Sequence, residues 1–150
     1  MKIWVDADAC PAVIKEIIVR AAIKRQITTI FVANKPLFLA KSPYLNFVQV
    51  ASGADVADQY IAEQAAEVDL VITQDIPLAG VLVPKGIITL SPHGNVFTKD
   101  NIAERLSVRN FMHEVRGSGV QTGGPKPFSV QIKLKFANAF DQQLQKLSPK

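Results

Sequence analysis

An α/β fold on a parallel sheet, with helices over both faces, is predicted by two features of this sequence. Short runs rich in β-branched and apolar residues alternate with longer stretches of helical periodicity, the pattern of successive βαβ units. Acidic residues stand where those apolar runs stop. Asp6-Ala7-Asp8 follows Ile3-Trp4-Val5, Asp55 and Asp58 come soon after Phe47-Val48-Gln49-Val50, and Asp75 follows Leu70-Val71-Ile72-Thr73-Gln74. In a parallel sheet all those strand ends open on one edge, where ligand chemistry collects.

Residues 2–6 read as a fully buried strand. Pro11 suits the first turn of the next helix. There Ile14, Ile17, Ile18, Ala21 and Ala22 form an apolar face, with Lys15, Arg20, Lys24 and Arg25 interleaved. Residues 28–33 make the second strand. Residues 34–44, with two prolines and no clear period, make a loop. Residues 46–50 are the third strand. Ala57, Ile61, Ala65 and Val68 recur at helical spacing and lead to Asp69 and the strand 70–73. Asp75 opens a short helix to residue 82 with Pro77 in its first turn, and residues 86–90 are the fifth strand. Thr98 caps a helix running to about residue 116. The Gly-rich stretch 117–127 reads as a flexible connection. Ser129 then opens a last helix whose Ile132, Phe136, Phe140 and Leu144 fall every fourth residue, a stripe suited to docking on the domain. Residues 1–150 are thus expected to form a single domain.

With 150 residues and 48% hydrophobic content, the chain is long enough to bury a substantial core. No apolar run reaches transmembrane length, and Asp6-Ala7-Asp8 interrupts the N-terminus too early for a secretory signal. A single cysteine, Cys10, excludes an internal disulfide and a cysteine zinc cluster, so a reducing cytoplasm is the expected compartment. The net charge of +4 is unevenly spread. Residues 1–75 carry 7 Lys/Arg against 9 Asp/Glu, whereas residues 76–150 carry 10 against 4. Alone, such a charge is ordinary solvated surface. Beside strand-end acids it suggests carboxylates for a metal in the first half and bases for a polyanion in the second.

Carboxylates gathered on one edge repel one another unless a cation neutralises them, and an all-oxygen set suits Mg²⁺ or Mn²⁺. Asp6, directly after a buried strand, must find water, a partner or a cation. Asp8 either shares that site or favours the N-terminus of the following helix. Asp55 and Asp58 share a helical face, but Ser52-Gly53-Ala54-Asp55 also fits a capping box, so only one of the two need reach the site. Asp75 serves the site or caps its helix. Asp69 precedes a strand, hence lies at the opposite edge, and is expected to be only a surface residue. The metal candidates are therefore Asp6, Asp8, Asp55, Asp58 and Asp75. The first reading is a metal-dependent enzyme acting on phosphate esters, with Asp6, Asp55, Asp58 and Asp75 catalytic.

Several segments together resemble the YaiI/YqxD family of uncharacterised bacterial proteins, which is related to PIN-like nucleases. They are Val5-Asp6-Ala7-Asp8-Ala9-Cys10-Pro11, Gly53-Ala54-Asp55-Val56-Ala57-Asp58, Leu70-Val71-Ile72-Thr73-Gln74-Asp75, and Arg116-Gly117-Ser118-Gly119 through Gly123-Gly124-Pro125-Lys126-Pro127-Phe128. The resemblance covers nearly the whole chain. It implies a three-layer α/β/α sandwich with a central parallel sheet ordered 3-2-1-4-5, in which the strands ending at Asp6 and Asp75 are neighbours. It also implies a nuclease in which Asp6, Asp55 or Asp58, and Asp75 bind Mg²⁺ or Mn²⁺ and direct water onto a phosphodiester. The chain departs from the PIN pattern in one place. A further acid often found late in PIN domains has no counterpart, and Ser91, His93 and Asn95 occupy that region.

Nucleic acid, RNA ahead of DNA, is the expected partner, gripped by Arg105, Arg109, Arg116 and Lys126. Phe38 and Tyr44, near Lys35 and Lys41, are the candidates for stacking on bases. Two other functions fit parts of the pattern. Asp6-Ala7-Asp8 after a strand resembles the opening motif of a haloacid-dehalogenase-like phosphatase with Asp6 as nucleophile, although Gly53–Asp58 comes too early for that family. A nucleic-acid-binding module with a vestigial site fits the absent late acid. Cys10 reads as a partly buried small residue, and His93 and His113 as turn or surface residues without metal-ligand spacing.

Overall fold

The computed structural model describes residues 2–35, 41–51, 56–102 and 130–147. In chain order the elements are β1 (Ile3–Asp6), α1 (Ala12–Arg25), β2 (Thr29–Ala33), β3 (Leu45–Gln49) and α2 (Val56–Gln64), followed by β4 (Leu70–Ile72), α3 (Ile76–Leu82), β5 (Ile88–Leu90), β6 (Val96–Phe97) and α4 (Val130–Leu147). The sheet has six strands in the order β3-β2-β1-β4-β5-β6. The first five are parallel, and β6 pairs antiparallel with β5 through Thr89↔Phe97 and Leu90↔Val96. The expected parallel order 3-2-1-4-5 is therefore extended by an antiparallel edge strand. Two residues are too few to show the period-2 alternation that marks a strand in sequence.

Strand alternation divides the core in two. Ile3 and Val5 of β1 face α1 and α4, joining Ile14, Ile18, Phe31, Leu90, Phe136, Phe140 and Leu144. Trp4, between them, faces α2 and α3 with Ile30, Val32, Ile61, Val71, Leu78 and Leu82. Both faces of β1 are thus buried, which explains why its sequence is continuously apolar rather than alternating. The stripe Phe136, Phe140 and Leu144 is at most 1% exposed, and the two phenylalanine rings stack with centroids 5.3 Å apart. Arg25, at the end of α1, pairs with Asp141, while Lys135 reaches the turn beyond β5. α1 and α4 therefore run in the same direction, from the carboxyl edge of the sheet to its amino edge.

Helix ends follow local chemistry. Pro11 sits at the N-cap of α1, one place before the first turn predicted for it, and Gln26 closes the helix in a left-handed conformation (φ 57°). Asp75 caps α3 by accepting from the Leu78 N–H at 2.9 Å. Thr98 and Asn101 exchange reciprocal bonds, Thr98 N–H to Asn101 Oδ1 at 2.7 Å and Asn101 N–H to Thr98 Oγ1 at 3.2 Å, the geometry of a capping box. The remainder of the predicted helix to residue 116, and the 117–127 stretch, lie outside the described residues. Val68 is not part of α2, which ends at Gln64, and is 61% exposed.

The expectation that Asp69 is only a surface residue is wrong. It lies at the amino edge as predicted, but it is 4% exposed. It accepts from the Lys2 N–H at 2.9 Å, the Ala66 N–H at 3.0 Å and Trp4 Nε1–H at 3.0 Å. A carboxylate can be buried where it satisfies several donors at once, and here it ties the entries of β1 and β4 together. No described helix is long and apolar enough to cross a membrane.

Candidate functional site

Parallel pairing sets the carboxyl edge. Val5 of β1 and Ile72 of β4 are register partners, and Ile72 pairs in turn with Leu90 of β5. Asp6, Thr73 and Ser91 are the next residues, so they line the edge side by side. Ala33, the last residue of β2, brings Asn34 to the same edge on the other side of β1.

Asp6 is 6% exposed, and Thr73 Oγ1–H donates to its Oδ2 at 3.0 Å. The Thr73 hydroxyl in turn accepts from the Asp75 N–H at 3.0 Å. One hydroxyl can do both, because it has one proton to give and two lone pairs to receive, and an ionised Asp6 only accepts. Asp6 and Asp75 thus stand on the same edge, joined through one threonine. Burial raises the pKa of Asp6 above the usual carboxylate value; the Thr73 hydrogen bond opposes this, and repulsion from Asp75 and then Asp8 adds to it. Asp6 therefore feels both neighbouring charges.

Asp8 is exposed, and its Oδ2 accepts from the Asn34 N–H at 2.8 Å, clipping the turn after β1 to the end of β2. Asp75 caps α3, and in that place it stays close enough to Asp6 to repel it. Asp58 is half-buried in the first turn of α2. That helix leaves the carboxyl edge on the same sheet face as α3. Asp55, Arg105, Arg109, Arg116, Lys126 and Phe38 lie outside the described residues. Tyr44 does not belong to this site. Its carbonyl accepts from the Thr29 N–H at 2.8 Å, at the start of β2 and hence at the opposite edge. Cys10 is buried beside the site with its thiol pushed up to about 12, chiefly by burial, which removes it as a nucleophile.

Among the described residues no three His, Cys, Asp or Glu side chains form a metal-holding group. The pair Asp6 and Asp75 still suits Mg²⁺, which is commonly held by one or two carboxylates, waters and substrate phosphates rather than by a protein cage. The donors are hard oxygens, and their mutual repulsion is what a divalent cation relieves. Asp8 flanks the pair. Thr73 and Ser91 are the residues that sequence reasoning passed over as site members. Their signal was available, since each is the first polar residue after an apolar strand.

Fold and site together define an α/β protein with clustered carboxylates at the carboxyl edge of a mostly parallel sheet. Its family follows from comparison. Residues 4–146 match the model described as "Uncharacterized BCR, YaiI/YqxD family", and the chain belongs to that family. It is 56% identical to a UPF0178 protein of Myxococcus xanthus, over 98% of this chain and 96% of the relative. A UPF0178 protein of Desulfotalea psychrophila is also 56% identical, over 98% and 99% of the two chains. One from Dechloromonas aromatica is 53% identical, over 98% of each. No solved structure matches.

Proposed function

We propose that the protein is a PIN-like, Mg²⁺- or Mn²⁺-dependent nuclease that hydrolyses phosphodiesters, with RNA ahead of DNA as substrate. The observation that carries this reading is the buried Asp6 carboxyl, held by Thr73 against two neighbouring carboxylates on the sheet edge. A fold does not bury a repelled acid there for stability, so a ligand that takes the negative charge accounts for it.

Asp6 and Asp75 would hold the cation, with Asp8 and one of Asp55 and Asp58 beside them. When bound, a divalent cation polarises a phosphoryl oxygen and lowers the pKa of an attacking water. The chain's own contribution is positioning. Thr73 orients the Asp6 carboxylate, the α3 cap fixes Asp75, and Asp8 holds the strand-end turn in place. None of these groups needs to form a covalent bond to substrate.

Cleavage of a labelled oligonucleotide and hydrolysis of a phosphomonoester, each with Mn²⁺ and with chelator, test the proposal. Asp6→Asn and Asp75→Asn should each abolish oligonucleotide cleavage while the protein stays folded. Phosphomonoesterase activity with a trapped phospho-aspartyl group on Asp6 would establish the phosphatase instead. Cleavage that survives chelation would exclude both.

A further inference from the structure

We infer that the turn between β5 and β6, together with Lys135 of α4, is a phosphate-binding shelf that holds a nucleic-acid backbone beside the acid cluster. The turn leaves the same sheet edge as Asp6, two strands away, because Leu90 shares a register row with Ile72 and Val5. Neighbouring strands lie about 4.8 Å apart, so the turn begins on the order of 10 Å along the edge from Asp6. About three stacked nucleotides, at ~3.4 Å each, cover that distance.

The turn is rigidly built. Ser91 is buried, and its Oγ accepts from the N–H groups of both His93 and Asn95 at 3.2 Å. The Ser91 N–H donates to the Asn95 carbonyl at 2.9 Å, and the Gly94 N–H to the Ser91 carbonyl at 3.0 Å. Gly94 has φ +89°, and its backbone lies so close to α4 that an added Cβ would come within 2.8 Å of the Lys135 carbonyl carbon. Turn and helix are therefore in direct contact, which sets His93 and Asn95 in a fixed relation to Lys135.

Lys135 Nζ donates to Asn95 Oδ1 at 2.9 Å. An ammonium has three protons, and this bond uses one. Both Lys135 and His93 are exposed, so both meet solvent at the edge. Burial, and then the Lys135 charge, lower the His93 pKa. Lys15, in the first turn of α1, adds a second cation to the same edge of the same helical layer. A fixed ammonium, with a second lysine on the same edge, suits a phosphate monoanion of a polynucleotide. The shelf rests on the nuclease reading only for what lies on its acidic side, since it binds backbone whether or not cleavage follows.

Fluorescence anisotropy with a labelled single-stranded oligoribonucleotide, in metal-free buffer over a salt series, tests the inference on the full chain. Lys135→Gln should weaken binding several-fold at low salt and reduce the log–log salt slope by about 0.7, the contribution of one phosphate contact on a single strand. Lys135→Arg should keep the slope. Lys146→Gln, an exposed charge on the same helix at the opposite edge, should leave binding unchanged. Lys15→Gln removes the second cation of this edge and should, like Lys135→Gln, weaken binding at low salt and reduce the slope. Thermal melts of each variant separate lost binding from lost folding, and Lys15→Gln decides the matter if Lys135→Gln melts early. No binding by the wild type, equal losses from Lys135→Gln and Lys146→Gln, or capture by anionic vesicles in place of the oligonucleotide would each overturn the shelf. If the shelf variants behave as expected but no Mn²⁺-dependent cleavage occurs, the nuclease reading falls and the shelf stands. Cleavage with affinity indifferent to Lys135 gives the reverse.

Discussion

Replacing Asp6 with asparagine removes a charge, and almost no volume, from a position that is 6% exposed. The Thr73 hydroxyl still finds an amide oxygen to donate to, so the bond at 3.0 Å has a successor. The variant is relieved of the cost of burying a charge and of repulsion from Asp75 and Asp8. Single stabilising substitutions commonly gain about 0.5–2 kcal/mol. For a chain of this size each ~1 kcal/mol raises Tm by about 2–4 °C. The sign of the pH dependence follows from the raised pKa. An acid whose folded pKa exceeds its unfolded value penalises the fold above the folded pKa. That penalty fades as pH falls through it and is gone below the ordinary aspartate value of about 3.9. Wild type and variant should therefore differ most near neutral pH and converge in acid. Added Mn²⁺ is expected to reverse the order. At a concentration of 100 Kd a ligand adds about 2.7 kcal/mol to the protein that binds it, more than the gain expected for the variant. Differential scanning fluorimetry should show Asp6→Asn melting higher in chelator and lower with Mn²⁺ at saturation. A variant already less stable in chelator, or an equal rise with Mn²⁺ in both proteins, would refute the argument that Asp6 is kept for a cation.

Other substitutions probe the frame around the site. Asp69→Ala leaves three donors at the amino edge without their acceptor and should cost about 3 kcal/mol or more, read by urea unfolding followed through Trp4 fluorescence. Gly94→Ala combines a left-handed φ with a clash against α4, so it should lose about 1–3 kcal/mol in the same assay. Phe140→Ala empties a fully packed position between α4 and the sheet and should cost about 3–5 kcal/mol. Cys10, with its thiol pushed up to about 12, should resist thiol reagents at pH 8 in the native protein and react at once in denaturant.

Local signals carried most of the fold. Five strands were legible because both faces of the sheet are covered, which makes β1 and β4 continuously apolar, and the Asp75 and Thr98 caps announced themselves by residue type. What escaped depends on pairing across distance. Asp69 looks like any acid before a strand until Trp4, 65 residues away in sequence, is brought against it. Tyr44 looked suited to stacking beside Lys41, yet parallel register with β2 carries it to the far edge. The edge acids were legible from the strand ends. Their link through Thr73 was not, because strand order makes β1 and β4 neighbours without saying which side chain at the edge turns its hydroxyl to Asp6.

The packing of α4 against α1 has a consequence for how the chain is made. Arg25 and Asp141, which pair across those two helices, are separated by 116 residues. A ribosome adding about 5–20 residues per second needs on the order of ten seconds to pass from one to the other. During that interval Ile14, Ile18 and the outer face of β1 have emerged without the phenylalanines that cover them. The nascent protein therefore carries an open apolar face through most of its synthesis. Its yield in the cell should depend on holdase chaperones far more than its finished stability suggests.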